Sequence, residues 1–330
     1  MKHFHFLSSR RLGLACVMAT LVAVLPLQAL SQAYPTKPVK VLVGFTAGGA
    51  VDLIARSVGQ AMQASLGQPV VVENKPGAGT NIAMKALIDA PPDGYTLMLT
   101  ANSIAANPAL YKPAPFDPEK DVAPVALVGR VPVVIAANAA SPYTSVAQLI
   151  QAAKGKPNTI AYGSPGNGAT PHMAMEFFTR AAGVDLQHIP YKGGSQAITD
   201  AIGGQIPLVA VNALEVLPHV KSGKLRVIAV LSPTRSSIYP DVPTIAESGF
   251  PGFEASVWYG FIAPAATPKA VVERLHAEVE KALQHPDVRA RLANAGGEVL
   301  PGSTEQFAAL IRAERQRYDK LVREANIKPD

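Results

Sequence analysis

Two glycine-rich turns are the segments of this chain best suited to hold an anion. Residues 46–49 follow an apolar, β-branched run at 39–45 and precede a stretch of helical spacing at 51–65. Residues 163–168 stand in the same position, between a strand predicted at 159–162 and a helix predicted at 173–182. Backbone N–H groups converge where such a turn opens a helix, and the partial positive charge there favours anions. If the two turns face each other across a cleft, they would grip a molecule with an anionic or polar group at each end.

The glycine-rich segments of this chain, including a third at 77–81, lack the residues of a nucleotide site or of a hydrolase. Ile82 stands where the turn at 77–81 needs the third glycine of a dinucleotide fingerprint, and Pro171 stands there after the turn at 166–170. Ser164 has a tyrosine where a nucleophile elbow needs its first glycine, and the nearby His172 is better explained as a polar residue at a helix start. An exported hydrolase using this Ser–His pair is therefore a minor alternative.

Metal catalysis has as little support, because the histidines after the N-terminal segment are dispersed without the spacing of paired ligands. They are His172, His188, His219, His276 and His285. We therefore predict a binding protein that is not an enzyme, with no catalytic residue, no metal and no cofactor.

The N-terminal segment has the pattern of a secretory signal peptide. Lys2, Arg10 and Arg11 precede an apolar run at 12–29, and the small residues of 31–33 predict cleavage near Ala33. The twin arginine leaves Sec or Tat export open, and a membrane anchor is the alternative to cleavage. Cys16, the only cysteine, lies in this segment, so the mature chain has no disulfide. We expect a periplasmic protein.

The charge of the mature chain excludes one class of partner. Without the signal peptide, 27 basic residues remain against 24 acidic ones, and the basic residues are scattered. This balance is too mild for nucleic-acid binding. The 297 remaining residues are enough for two domains with their own cores.

Alternating strands and helices predict an α/β protein with doubly wound, mostly parallel sheets. Two long apolar stretches, near Val131 and near Val257, could each cross from one domain to the other. Crossings there predict two lobes, the first from 34–132 plus 258–330 and the second from 133–257. Thr267 and Pro268 predict the cap and first turn of a helix, and Ser303 with Gln306 predicts a capping box for the last helix.

Six segments resemble, in order, motifs of the Bug/TctC-type family of periplasmic substrate-binding proteins from tripartite tricarboxylate transporters. Residues 46–56 resemble its PGGxxDxxAR motif, 73–79 its ENRPGAGG, 92–97 its PDGYTLL, 162–172 its YGSxGxGSxxH, 188–193 its HVPYKG and 243–249 its PTxAExG. Each match alone is weak, but the ordered set covers nearly the whole mature chain.

The resemblance implies a two-lobed, Venus-flytrap fold of the type II-like class, with a ligand carboxylate held between the lobes. Carried over to matching positions, the near wall comprises Phe45, Thr46, Ala47, Gly48, Gly49, Ala50, Val51 and Ser103. The far wall comprises Gly163, Ser164, Gly168, Ala169 and Thr170. Asp52 and Arg56 are better explained as structural support, since a charged pair four residues apart at a helix start stabilises the helix.

Asn212 occupies a ligand-binding position at which many relatives have aspartate. A neutral amide would not pair with a ligand ammonium group, and this favours ligands other than amino acids. Thr46 and Ala169 also depart from the family pattern. These differences leave the ligand open between di- or tricarboxylates and aromatic carboxylates.

The resemblance implies that the partners are the small carboxylate and the membrane subunits of the transporter, and that the protein is a monomer. A sensing role, in which the liganded protein docks on a membrane sensor kinase, uses the same closed form and stays open.

Overall fold

The fold is seen in a computed structural model that describes residues 1, 34–294, 296–325 and 327. All its helices and strands belong to one unit of the chain, Lys37–Asp330. The other unit, Met1–Thr36, includes the predicted signal peptide, of which residues 2–33 lie outside the described residues. Within the described part of the chain, none of the helices is long and apolar enough to cross a membrane.

Strands and helices alternate through most of the unit, as the sequence pattern predicts. The strands of the described residues are β1 (Val39–Val43), β2 (Val70–Asn74), β3 (Thr96–Thr100), β4 (Val122–Asn138), β5 (Ala161–Ser164), β6 (Gln187–Pro190), β7 (Leu208–Asn212), β8 (Leu225–Val230), β9 (Ser256–Pro264) and β10 (Glu298–Val299). The helices are α1 (Ala50–Leu66), α2 (Asn81–Ile88), α3 (Ser103–Leu110), α4 (Val146–Ala153), α5 (Thr170–Ala182), α6 (Gly194–Ile202), α7 (Ala213–Lys221), α8 (Lys269–Leu283), α9 (Pro286–Asn294) and α10 (Thr304–Ala325).

Parallel strands lie at the two ends of the sheet, and long antiparallel strands join them. Among the described residues the order is β2-β1-β3-β9-β4-β7-β5-β6, with β8 and β10 also paired to β4. The β2-β1-β3 group and the β7-β5-β6 group are parallel, whereas β9 and β4 run antiparallel to their neighbours. The sheet is therefore mixed, because its two longest strands, β4 and β9, run antiparallel to their neighbours.

Strand β4 changes partners along its length. Its segment 122–132 pairs with β9, and its segment 133–138 pairs with β7 and β8. We call β1, β2, β3, β9, β10 and the first segment of β4 the first half of the sheet. The second half consists of β5, β6, β7, β8 and the second segment of β4.

Helix α1 forms because its apolar residues recur on one face. Ile54, Val58 and Met62 are at most 2% exposed and face the core. The helix ends at Gly67, whose φ of 66° and N–H bond to the carbonyl of Gln63 make a left-handed C-cap. This helix places its N-terminus, with the first glycine-rich turn, at the carboxyl end of β1.

Helix starts show where local sequence signals hold and where they fail. The capping box of α10 is confirmed, since Ser303 N–H donates to Gln306 Oε1 at 2.8 Å and Gln306 N–H donates to Ser303 Oγ at 3.3 Å. The predicted start of α8 is wrong by one residue. Pro268 is the N-cap, and the Thr267 hydroxyl donates to the carbonyl of Pro264. The preceding turn thus takes the hydroxyl that would have capped the helix.

Candidate ligand-binding site

A network of hydrogen bonds fixes the first glycine-rich turn. The Gly48 N–H donates to Asp52 Oδ2 at 3.0 Å, and Gly48 has the left-handed φ of 83° that glycine tolerates best. Arg56 Nε lies 3.0 Å from each carboxylate oxygen of Asp52. Asn74 Nδ2 donates both to Asp52 Oδ1 and to the carbonyl of Phe45, each at 3.0 Å. The turn is therefore held by side chains of α1 and β2.

The Asp52 carboxylate is ionised in this network. Burial by itself would raise its pKa, but hydrogen bonds from Arg56, the Gly48 N–H and Asn74 lower the pKa below its usual value. Since these donors use the carboxylate, Asp52 acts on the backbone of the turn.

A narrow cavity lies in front of this turn, where the two halves of the sheet meet. It is lined by Phe45, Thr46, Gly49, Ala50, Val51, Ala101, Pro165, Ala169, Thr170, Pro171, Gly194, Asn212, Glu215, Val257 and Tyr259. Its volume is about 20 Å³, room for roughly one water molecule. The halves touch beside it, with Thr46 Oγ1 3.4 Å from Ser195 Oγ. A ligand of several heavy atoms therefore enters only when the halves or the lining side chains move apart.

Four helices begin at the wall of this cavity. Ala50 opens α1, Thr170 opens α5, Gly194 opens α6, and Asn212 is the N-cap of α7. The first N–H groups of a helix have no partner within it and carry partial positive charge. Among the described lining residues there is no lysine, arginine or histidine. An anion in this cavity would therefore be bound by backbone N–H donors and by helix dipoles.

Four buried polar atoms on the cavity wall lack a hydrogen-bond partner within the described protein. They are Thr170 Oγ1, Asn212 Oδ1, Glu215 Oε2 and Tyr259 Oη. Thr170, Asn212 and Tyr259 are at most 5% exposed. Buried polar groups are almost always paired in folded proteins, because an unpaired one costs about 1–3 kcal/mol. Four such atoms around one cavity are typical of a binding site.

The cavity brings together eight of the residues predicted to bind the ligand: Phe45, Thr46, Gly49, Ala50, Val51, Ala169, Thr170 and Asn212. Gly48 instead lines a larger groove outside the cavity, which Glu215 also borders. Ala47, Gly163, Ser164, Gly168 and Ser103 are not among the lining residues. Ser103 lies behind the wall, where its hydroxyl accepts from Thr80 Oγ1 at 3.1 Å.

Sequence reasoning missed Tyr259 and Glu215. Tyr259 lies in β9, in an apolar run whose sequence gives no sign of which side chains face the cavity. Glu215 is three residues after Asn212 in α7, a helix that the sequence pattern did not predict. The acid in the first turn of that helix is the one local signal available.

Ser164 is paired with His188 rather than with His172. Ser164 Oγ lies 2.7 Å from His188 Nε2, and the ring of His188 stacks on that of His172 at 4.0 Å. Burial lowers the pKa of His188 to about 4, and burial also lowers the pKa of His172, so both rings are neutral at pH 7. The hydroxyl is fully buried and accepts from the Gly166 N–H at 3.1 Å. It supports the second glycine-rich turn and is sealed from the substrate that a nucleophile would need.

Metal binding finds no support in the described part of the chain, which contains no group of three or more His, Cys, Asp or Glu side chains placed to hold an ion.

A curled mixed sheet whose two halves enclose a cavity at helix N-termini defines a class, the two-lobed periplasmic binding proteins. Residues 54–327 match the family described as "Tripartite tricarboxylate transporter family receptor", and the chain belongs to that family. It is a solute-binding protein of the TctC/Bug type, and it is not an enzyme. The family gives no support to the hydrolase or to the sensor.

Several relatives are similar over most of their length. Protein BugT of Bordetella pertussis is 36% identical over 297 residues, which cover 89% of this chain and 91% of that protein. The structure of Rpa4515 of R. palustris with adipate is 33% identical with a TM-score of 0.85, covering 90% of this chain and 100% of that one. MatC of Rhodopseudomonas palustris with bound malate is 30% identical with a TM-score of 0.84, covering 88% and 100%.

Proposed function

We propose that the protein binds a small carboxylate in the cavity between the two halves of the sheet and delivers it to the membrane subunits of a tripartite tricarboxylate-type transporter. The observation that carries this proposal is the convergence of four helix N-termini on a wall where the hydroxyls of Thr170 and Tyr259 have no partner in the described protein. The apolar remainder of the wall fits a short carbon chain or a ring. Adipate and malate, bound by two relatives of this fold, belong to the same chemical class.

The proposed lobes are residues 34–132 plus 258–330 and residues 133–257. The change of partner of β4 between Pro132 and Val133 supports the first crossing. The start of β9 at Ser256, which pairs with Pro132, supports the second. Opening of the lobes about these two strands would widen the cavity, and closing would bury the ligand.

The proposed location is the periplasm, where the receptors of this family act. We infer that residues 1–33 are removed near Ala33 and that the mature chain works as a monomer. The family description supports a membrane transporter as the partner.

The function is tested by isothermal titration of the mature chain, refolded to remove bound ligand, with a panel of carboxylates. The panel contains succinate, malate, adipate, citrate and benzoate, with the matching amides as neutral controls. We expect saturable binding of at least one carboxylate and a loss of about tenfold in affinity in Thr170→Val, which removes one hydroxyl from the wall. Thr199→Val is the matched control, because Thr199 lies on the exposed side of α6. Binding of the amides as tightly as the acids would contradict the proposal.

A further inference from the structure

Among the described residues that line the cavity, Glu215 alone carries a carboxyl group. Its Oε1 accepts from Asn212 Nδ2 at 2.7 Å and from the Ala50 N–H at 3.4 Å, so the carboxyl group spans from α7 to the start of α1. Its Oε2 is buried and has no partner in the described protein. One oxygen is thus fixed by the protein, and the other lies unpaired beside Gly194, which also lines the cavity.

The protein leaves room for this carboxyl group. A Cβ atom added at Gly194 would overlap Glu215 Oε2, so a larger residue at the start of α6 would displace this carboxyl group. The Asn212 amide, which would be a poor partner for a ligand ammonium group by itself, instead orients Glu215 through its Nδ2.

Nothing basic neutralises Glu215 within the cavity, since its described lining residues include no lysine, arginine or histidine. Burial raises the pKa of Glu215, and the hydrogen bonds from Asn212 and Ala50 oppose that rise. A second carboxylate close to Oε2 would add a like charge to an enclosed site, whereas a cationic donor would pair with it. A ligand group that contacts Oε2 should therefore bind more tightly if it is a hydrogen-bond donor than if it is an acceptor.

We infer that Glu215 determines the ligand class of this site, by selecting a carboxylate that also carries a hydrogen-bond donor, best a cationic amino group, over a plain dicarboxylate. The inference rests on the proposed function, because it assumes that the cavity is the carboxylate site. The carboxylate of the ligand meets the N–H groups of the converging helices, and the donor meets Oε2.

The test compares matched acids that differ in one substituent. Succinate, L-malate and L-aspartate share a four-carbon diacid chain and carry hydrogen, hydroxyl and ammonium on the second carbon. Adipate and L-2-aminoadipate form a longer pair. Isothermal titration with the mature chain is expected to show at least tenfold tighter binding of the amino acid in one of these sets, with malate between succinate and aspartate.

Glu215→Gln keeps the shape of the side chain and removes its charge. In this variant we expect the amino acid to bind more weakly and the plain diacid more tightly, so that the ratio falls below about threefold. Glu273→Gln, on the exposed face of α8, makes the same change in net charge away from the cavity and should leave the ratio unchanged. The melting temperature of each variant, measured without ligand, reports on folding separately.

Two results overturn the inference and separate it from the proposed function. Equal affinity of wild-type protein for the plain and the amino diacids, or an unchanged ratio in Glu215→Gln, refutes the role of Glu215 and leaves carboxylate binding intact. Failure of every acid in the test to bind overturns the carboxylate function itself, and the inference with it.

Discussion

Replacing Tyr259 with phenylalanine removes a buried hydroxyl that has no partner within the described protein, and this should stabilise the ligand-free form. Tyr259 is fully buried, and its Oη is unpaired in the described protein. Burying an unpaired hydroxyl costs about 1–3 kcal/mol, and deleting it recovers part of that amount. We expect Tyr259→Phe to raise the free energy of unfolding of the ligand-free protein by about 1 kcal/mol.

Tyr239→Phe is the matched control. Tyr239 is also buried, at 6% exposed, but its hydroxyl donates to the carbonyl of Ala213 at 3.1 Å. Deleting this hydroxyl loses a buried hydrogen bond, which should lower the free energy of unfolding by about 1–2 kcal/mol. The same chemical change should therefore act in opposite directions at the two tyrosines.

Urea unfolding of the refolded, ligand-free mature chain measures both values, and a difference of about 2–3 kcal/mol separates the midpoints by roughly 1 M. In the presence of ligand, the gain in free energy of unfolding from Tyr259→Phe should disappear, because the variant loses one contact with the ligand and about tenfold in affinity. If Tyr259→Phe is destabilising to the same extent as Tyr239→Phe, the hydroxyl is paired in the free protein and the reasoning from unpartnered atoms is wrong.

Three further predictions concern acid stability, the first turn and the cleft. Burial holds the pKa of His188 at about 4, whereas the unfolded chain binds the same proton near pH 6.5. Between pH 7.5 and 4.5 the free energy of unfolding should therefore fall by roughly 2–3 kcal/mol more in the wild-type protein than in His188→Gln, while the buried His172 contributes to the fall in both. An identical dependence of unfolding free energy on pH in the two proteins would mean that groups other than His188 cause the loss of stability. Asp52→Asn should lower the free energy of unfolding by about 2 kcal/mol at pH 7. In urea unfolding the deficit should shrink as the pH falls through the lowered pKa of Asp52, because that carboxylate stabilises the fold only when ionised; a deficit that does not shrink with falling pH argues against the charge. Gly79 and Gly155 both have left-handed φ, but a Cβ at Gly79 would overlap the carbonyl of Asn167, whereas Gly155 has open space. Both alanine variants should lower the free energy of thermal unfolding by about 1 kcal/mol. Gly79→Ala alone should weaken carboxylate binding in titration, because its Cβ would block the contact with Asn167; equal affinities would mean that this contact does not form in the closed protein.

Local sequence patterns sufficed for the elements that carry their own signals. The apolar face of α1, the capping box of α10 and the glycine-rich turns depend on residues a few positions apart, and each lies where its pattern places it. The strand predicted at 159–162 is displaced and begins at Ala161, because pairing with β6 and β7 sets its bounds. Helices α6 and α7, each of nine residues, are too short for periodicity to separate them from loops.

The ordered motifs of the sequence determined the family and the two anion-friendly turns, since each is written in contiguous residues. The tertiary structure alone decided which side chains share the cavity. It brings Tyr259 from β9 and Glu215 from α7 to the start of α1, and it pairs Ser164 with His188 across two parallel strands. The sequence argument against a ligand amino group considered Asn212 alone, whereas the structure places the carboxyl group of Glu215 beside Asn212. The electrostatic interaction between a ligand and a buried charge depends on their distance in space, which the separation of residues along the chain does not give.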